Sequence, residues 1–127
     1  MTILIIDDEP AIRDTLQLCL ELHGHTVLTA ADGPAGVQLA AQQPDLILCD
    51  VGLPGLDGYG VITAIKQLPT GRDIPFIFLT ALAGRDDLRQ GMNLGASGYV
   101  VKPFTQRDIM DAINTHGHPP AHPKPSA

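Results

Sequence analysis

The sequence predicts an α/β domain with a flavodoxin-like, doubly wound (βα)5 fold, in which five parallel strands form one sheet in the order 2-1-3-4-5. Five short apolar runs alternate with helix-length segments along the 127 residues, which is typical of a parallel sheet covered on both faces. The runs are continuously apolar, as expected of strands that are buried on both sides. Right-handed crossovers leave few topologies at this size, and this order is the commonest.

The expected strands are rich in Val, Ile, Leu, Phe and Tyr, which favour extended backbone. They cover residues 2–6, 26–30, 46–50, 75–79 and 97–101. In the first two helical segments, Gly24 is a plausible stop for the first helix, and Pro34 fits the first turn of the second.

The last three helices are expected at about residues 58–68, at about 84–94 and from Thr105 onward. The fourth would bury Leu88 and Met92, with Gly91 as a weak point of about 1 kcal/mol relative to Ala. Thr105 is a good N-cap, and Asp108 three residues later completes a capping-box pattern.

Composition indicates an ordinary globular domain, with 44% hydrophobic and 17% charged residues. The net charge of −6 argues against direct binding of nucleic acid by this domain. Neither a signal peptide nor an apolar stretch of roughly 18 residues is recognisable, so we expect a soluble, cytoplasmic protein without a membrane partner. Cys19 and Cys49 lie among apolar neighbours and are expected to be buried thiols, not a disulfide.

The domain is expected to cover residues 1–115, and residues 116–127 to form an extended tail or the start of a linker. Four prolines in this segment forbid a continuing helix, and the apolar periodicity stops. His116, His118 and His122 could bind a metal, but no acid or cysteine joins them, and a tail without a metal is the preferred interpretation.

Polar residues close the apolar runs at one edge of the predicted sheet. They are Asp7 and Asp8 after the first run, Asp50 at the end of the third, Thr80 after the fourth and Lys102 after the fifth. In the expected strand order, ligands bind beyond the carboxyl ends of strands 1 and 3, where the winding reverses. Three neighbouring acids repel one another, so a hard cation would stabilise them. Mg²⁺ fits best, with Mn²⁺ as an alternative, because Mg²⁺ accepts carboxylates together with waters and phosphate oxygens.

Asp50 could be only a metal ligand, but a carboxylate beside Mg²⁺ is also a nucleophile towards a phosphoryl group, giving an acyl phosphate. The hydroxyl of Thr80 and the ammonium of Lys102 could then hold phosphoryl oxygens. A cis bond before Pro103 could aim Lys102 over the sheet edge, although a trans bond is the default. Asp8 and Glu9, taken alone, could equally be partners of the helix dipole.

Four segments in order, IIDDEP (5–10), LCDVGLPGLDG (48–58), LTA (79–81) and GASGYVVKPF (95–104), resemble the receiver domain of two-component response regulators over residues 2–115. The resemblance implies that Asp50 is the phosphoacceptor for a histidine kinase or phosphotransfer protein. It also implies that Asp7 and Asp8 hold Mg²⁺ together with the backbone carbonyl of Gly52. Gly52 departs from the family pattern, since larger side chains are frequent there, and this affects the access of attacking water.

The resemblance further implies that Thr80 and Tyr99 form the conformational switch, that Lys102 binds the phosphate and that Pro103 follows a cis bond. Phosphorylation would then change the surface of helix 4, strand 5 and helix 5, which would serve a protein partner or a homodimer. That surface carries Arg85, Asp86, Asp87, Arg89, Arg107, Asp108 and Asp111. The sequence identifies no output domain.

Two other functions compete with this switch. A Mg²⁺-dependent phosphatase would generally carry its nucleophile on the first strand and a second acid two residues later, whereas Asp7 is followed by Asp8 and then Glu9; no substrate-capping insertion is present either. A receiver-like binding module without phosphorylation is the other, although all the expected polar residues are present. We therefore expect a protein that is not an enzyme, apart from catalysing its own phosphorylation and dephosphorylation.

Overall fold

The sheet is built from five strands, each ending at the same edge. In the computed structural model, which describes residues 1–81 and 85–117 apart from the side chains of 85–88, the strands are β1 (Thr2–Ile6), β2 (Thr26–Ala30), β3 (Leu46–Asp50), β4 (Phe76–Thr80) and β5 (Gly98–Val101). All neighbouring strands are parallel, in the order β2-β1-β3-β4-β5. The predicted fold class and strand order are confirmed. β4 and β5 begin one residue later than expected. β4 also ends one residue later, so that Thr80 is its last residue.

Among the described residues, four helices connect the strands and a fifth follows β5. They are α1 (Pro10–Leu22), α2 (Gly33–Ala40), α3 (Gly58–Gln67), α4 (Arg85–Asn93) and α5 (Gln106–His116). α3 begins where the side chain of Asp57 accepts a hydrogen bond from the amide of Gly60 at 2.9 Å, because this bond satisfies one of the free amides of the first turn. α5 begins with the predicted capping box between Thr105 and Asp108.

Successive residues of a strand point to opposite faces, so the sheet has two apolar cores. One core joins Ile3 and Ile5 of β1 to buried side chains of α1 and α5. The other joins Leu4 and Ile6 to α2 and α3, including the predicted face of Val61, Ile62 and Ile65. Helices therefore cover both faces, which leaves the carboxyl edge of the sheet as the place where strand-end side chains can meet a ligand.

The residue of α4 that faces the core is not the one expected from the sequence. Met92 is 44% exposed, whereas Gly91 is buried and faces the ring of Phe78. A Cβ atom on Gly91 would lie 2.7 Å from Cε2 of Phe78, so this glycine lets the helix approach the sheet closely. The prediction that Met92 is a core residue was wrong, and Leu88 lies outside the described side chains.

α5 extends to His116, one residue beyond the expected end of the domain; residues 118–127, with the other tail histidines, lie outside the described part. Cys19 is half-buried and Cys49 is buried, and both are free thiols. Within the described ranges, every helix is too short or too polar to cross a membrane.

Candidate functional site

The register of the strands brings the polar strand ends together. Ile6 pairs with Cys49, and Thr80 pairs with Val101, so the residues that follow these pairs are neighbours at the carboxyl edge. The amide of Lys102 also donates to the carbonyl oxygen of Thr80 at 2.8 Å. The structure thus places Asp7, Asp50, Thr80 and Lys102 at one edge, at the ends of four adjacent strands.

Asp7 is fully buried and held through both carboxylate oxygens. Oδ1 accepts a hydrogen bond from the amide of Glu9 at 2.9 Å, and Oδ2 accepts one from Nζ of Lys102 at 3.1 Å. Burial raises the pKa of Asp7 and the nearby charge of Asp50 adds to this, while the bonds from Glu9 and Lys102 oppose it. The carboxylate is therefore held in place at an electrostatic cost, which a cation would reduce.

Asp50 lies at the boundary between the core and a cleft. Its Oδ1 accepts a hydrogen bond from the amide of Gly52 at 3.3 Å and lies 3.3 Å from Nζ of Lys102. The first residue of α3 approaches the same strand end: a Cβ on Gly58 would lie 2.7 Å from the carbonyl oxygen of Asp50 and 2.8 Å from Cα of Val51. Glycine at this position therefore allows the loop after Asp50 to fold tightly against the nucleophile candidate.

The side chain of Lys102 connects three carboxylates. Besides Asp7 and Asp50, Oε1 of Glu9 lies 3.7 Å from its ammonium nitrogen. Burial lowers the pKa of Lys102, but the charges of Asp7 and Asp50 outweigh it, so the pKa is raised and the ammonium stays protonated. The Lys102–Pro103 peptide bond is cis.

Asp7, Asp8 and Asp50 form a group suited to a metal ion. Each offers a carboxylate oxygen, and these oxygens lie within 4.8 Å of one another. Two of these acids are buried and Asp8 is exposed. Several hard oxygen donors with an open side fit Mg²⁺, which keeps some waters and binds few protein ligands.

A cleft of about 250 Å³ opens beside Asp50 and Lys102. It is lined by Glu9, Asp50, Val51, Gly52, Thr80, Ala81 and Lys102. Glu9 was not among the site residues expected from the sequence. Its position directly after Asp7 and Asp8 could have indicated a place in the site, but the helix dipole also explains an acid before a helix. A Cβ on Gly52 would meet nothing within 4 Å, so this side of the cleft is open.

Thr80 and Tyr99 both line a small cavity, which shares Val51 and Thr80 with the cleft. Thr80 is buried, whereas Tyr99 is 44% exposed on the edge strand β5. The cavity is lined by Val51, Tyr59, Phe78, Met92 and Gly98 as well as by these two residues. The Tyr59 and Phe78 rings pack edge to face, with centroids 5.5 Å apart. The aromatic ring of Tyr99 thus has an outward position next to an enclosed space.

The fold and this site define a receiver domain of two-component signalling. The family model of the response regulator receiver domain matches residues 3–114. The chain therefore belongs to the response regulator receiver family.

Several regulators are similar to this chain in sequence. The DNA-binding dual master transcriptional regulator RpaA of Synechocystis sp. is 44% identical over 112 residues, which cover 87% of this chain and 46% of RpaA. The response regulator PleD of Caulobacter vibrioides is 44% identical over 109 residues, covering 85% of this chain and 24% of PleD. The chain thus spans less than half the length of these curated relatives.

Solved structures agree with this assignment. The chemotaxis protein CheY4 of Vibrio cholerae superimposes with a TM-score of 0.87 at 28% identity, covering 91% of this chain and 97% of CheY4. The receiver domain of the sensor histidine kinase PA1611 of Pseudomonas aeruginosa superimposes with a TM-score of 0.83 at 32% identity, covering 91% and 96%. That structure has a magnesium ion coordinated in its active site cleft.

Proposed function

We propose that this domain is a phosphorylation-controlled switch, in which Asp50 accepts a phosphoryl group from a histidine kinase or a phosphotransfer protein. The observation that carries the proposal is the position of Asp50. Its carboxylate lines an open cleft, lies close to the acidic pair, and is 3.3 Å from the ammonium of Lys102. A nucleophile, a cation site and a phosphate-binding cation are thereby adjacent, as phosphoryl transfer requires.

In the proposed reaction, a carboxylate oxygen of Asp50 attacks the phosphorus of a phosphohistidine. The P–N bond breaks, its electron pair returns to the imidazole nitrogen, and the product is an acyl phosphate on Asp50. Lys102 moves its ammonium from the carboxylates to a phosphoryl oxygen, and the hydroxyl of Thr80 donates to another. A Mg²⁺ ion held by Asp7, Asp8, Asp50 and the carbonyl of Gly52 would offset the negative charge of the phosphoryl group.

The conformational change would then pass from Thr80 to Tyr99. A phosphoryl group on Asp50 draws the Thr80 hydroxyl towards the cleft, which enlarges the space behind it. Tyr99, which lines the same cavity, fills that space from its exposed position. Such a move changes the surface of α4, β5 and α5 through a local charge change, which is the usual basis of a two-state switch. This surface would contact a partner protein or a second copy of the chain.

The burial of Asp7 argues against the phosphatase alternative. In that alternative the nucleophile would be Asp7, directly after β1, yet its carboxylate is fully buried and both of its oxygens already accept hydrogen bonds. Asp50, in contrast, lines the open cleft.

Phosphorylation of the purified chain by acetyl phosphate in MgCl₂ tests the proposal. We expect one phosphoryl group per chain by intact-mass spectrometry, none in Asp50→Asn, and none in wild type with excess EDTA. Steady hydrolysis of a small phosphoester would instead support the phosphatase. A wild-type chain that takes up no phosphoryl group from acetyl phosphate or from a panel of phosphorylated histidine kinases would support a binding module and contradict the switch.

A further inference from the structure

Glu9 places a negative charge at the open side of the cleft. Its side chain is 60% exposed, unlike that of Asp7, and it lines the same cleft as Asp50. Its backbone is fixed at the start of α1, because its amide donates to Asp7 and its carbonyl oxygen accepts from the amides of Ile12 and Arg13, both at 3.1 Å. The backbone of Glu9 is therefore held at the rim of the cleft, and its side chain starts from a fixed position there.

This charge has two effects on an incoming phosphodonor. It repels the negative charge of a phosphoryl group that enters the cleft, since like charges in a water-exposed cleft still interact by about 1 kcal/mol at contact distance. It also forms an ion pair with the ammonium of Lys102, at 3.7 Å, which Lys102 would have to give up to bind a phosphoryl oxygen. Both effects lower the affinity for a donor whose only binding group is its phosphate.

We propose that Glu9 is a specificity-determining residue that limits phosphorylation of Asp50 by small, free anionic phosphodonors. The inference rests on the proposed function. A donor carried on a protein gains contacts outside the cleft and is affected less, whereas a small acyl phosphate depends on the cleft alone. In its reaction, a carboxylate oxygen of Asp50 attacks phosphorus, the P–O bond to the acyl group breaks, and the carboxylate leaves with the electron pair.

The test compares Glu9→Gln with wild type in saturating MgCl₂, with acetyl phosphate as the donor. We expect the second-order rate constant for Asp50 phosphorylation to rise about fivefold at low ionic strength. The increase should shrink towards none between about 0.05 M and about 0.5 M salt, because an exposed charge is screened. With phosphoramidate, which carries less negative charge, the increase should be smaller. Asp14→Asn is the matched control, since it removes one exposed carboxylate from α1 outside the cleft.

Several results would overturn this role. An unchanged or lower rate in Glu9→Gln, an equal rise in Asp14→Asn, or a rise that is insensitive to salt would each contradict it. An effect that appears only at low Mg²⁺ concentration would also contradict it, because Glu9 would then be a residue of the metal site. The proposed function fails separately, if wild type and Glu9→Gln both remain unphosphorylated by every donor.

Discussion

The ammonium nitrogen of Lys102 lies 3.3 Å from Oδ1 of Asp50, although β4 separates the strands that carry these two residues. The lysine side chain thus reaches across the end of a whole strand to meet its partner. It also bonds to Asp7, so one cation balances two carboxylates that are largely withdrawn from water. Without a metal ion, Lys102 is the cation that forms salt bridges with both acids in the described part of the chain.

Replacing Lys102 should therefore destabilise the metal-free protein. In Lys102→Met, two acids remain in a mostly buried place without a cation, and we expect a loss of about 2 kcal/mol in the free energy of unfolding in EDTA. Because Mg²⁺ neutralises the same acids, most of that loss should be recovered in MgCl₂. Urea unfolding followed by circular dichroism, with and without MgCl₂, measures both values.

Lys66→Met is the control for this change. Lys66 donates to the carbonyl oxygens of Arg72 and Ile74 at 3.0 and 3.1 Å. These partners are backbone oxygens, not the carboxylates of Asp7 and Asp50. Its loss should cost stability to the same extent with and without Mg²⁺. If MgCl₂ fails to restore Lys102→Met more than Lys66→Met, the charge balance does not depend on Lys102.

Asp7→Asn should raise stability at neutral pH in EDTA. Burial raises the pKa of Asp7 in the folded protein, so the protonated carboxyl is favoured by folding and its ionisation opposes folding. The penalty in wild type is absent below the unfolded pKa of about 3.9 and develops fully as the pH rises through the higher folded pKa. We therefore expect the variant to be more stable than wild type at pH 7.

Urea unfolding between about pH 3 and pH 7 follows this difference, which should vanish at the acid end. The variant should also lose the stabilisation by MgCl₂ that wild type gains. An Asp7→Asn protein that is less stable than wild type at neutral pH, or one that responds normally to MgCl₂, would contradict the account of this acid. Asp14→Asn again controls for the loss of one carboxylate.

Gly58→Ala should disturb the loop that carries the nucleophile. The added methyl group would lie 2.7 Å from the carbonyl oxygen of Asp50, which is backbone and cannot rotate away. We expect a loss of about 1–3 kcal/mol in the free energy of unfolding and slower phosphorylation by acetyl phosphate. Gly52→Ala is the steric control, since its methyl group would meet nothing within 4 Å; its stability should stay within about 0.5 kcal/mol of wild type. Equal stabilities of the two variants would refute the close approach.

Thr80→Ala should separate phosphorylation from its readout. The chain has two tyrosines and no tryptophan, so a Tyr59→Phe background leaves Tyr99 as the sole strong fluorophore. On phosphorylation in that background, quenching of Tyr99 by acrylamide should fall, because the ring moves into the cavity beside Thr80. With Thr80→Ala added, Asp50 should still be phosphorylated while the quenching stays unchanged. A fall of the same size in both proteins would remove Thr80 from the switch.

The sequence predicted the fold and most of the site because both depend on short-range patterns. Continuous apolar runs marked strands buried on both faces, and each run ended in a polar residue that a parallel sheet must place at its carboxyl edge. Met92 was misjudged for a different reason. Gly91 faces Phe78 at a distance that admits no side chain, so packing between α4 and the sheet sets which residue is buried.

The position of Glu9 at the cleft could not be predicted from the sequence pattern either. Its contact with Lys102 joins residues at opposite ends of the chain, and it depends on the direction in which the lysine side chain crosses the sheet edge. Local rules assign an acid at this place to the helix dipole. Only the assembled sheet brings it to the rim of the cleft.

The acids of the site meet Lys102 only when the strands pair in the observed register, so the site depends on correct folding of the sheet. Shifting β1 or β3 by one residue would turn every side chain of that strand to the opposite face, and the acids would no longer meet Lys102. A misregistered sheet could still be compact and rich in secondary structure, yet it would not respond to a divalent cation. Stabilisation by the proposed Mg²⁺ ion would therefore be a simple assay for native strand pairing whenever this domain is transplanted, permuted or fused to another protein.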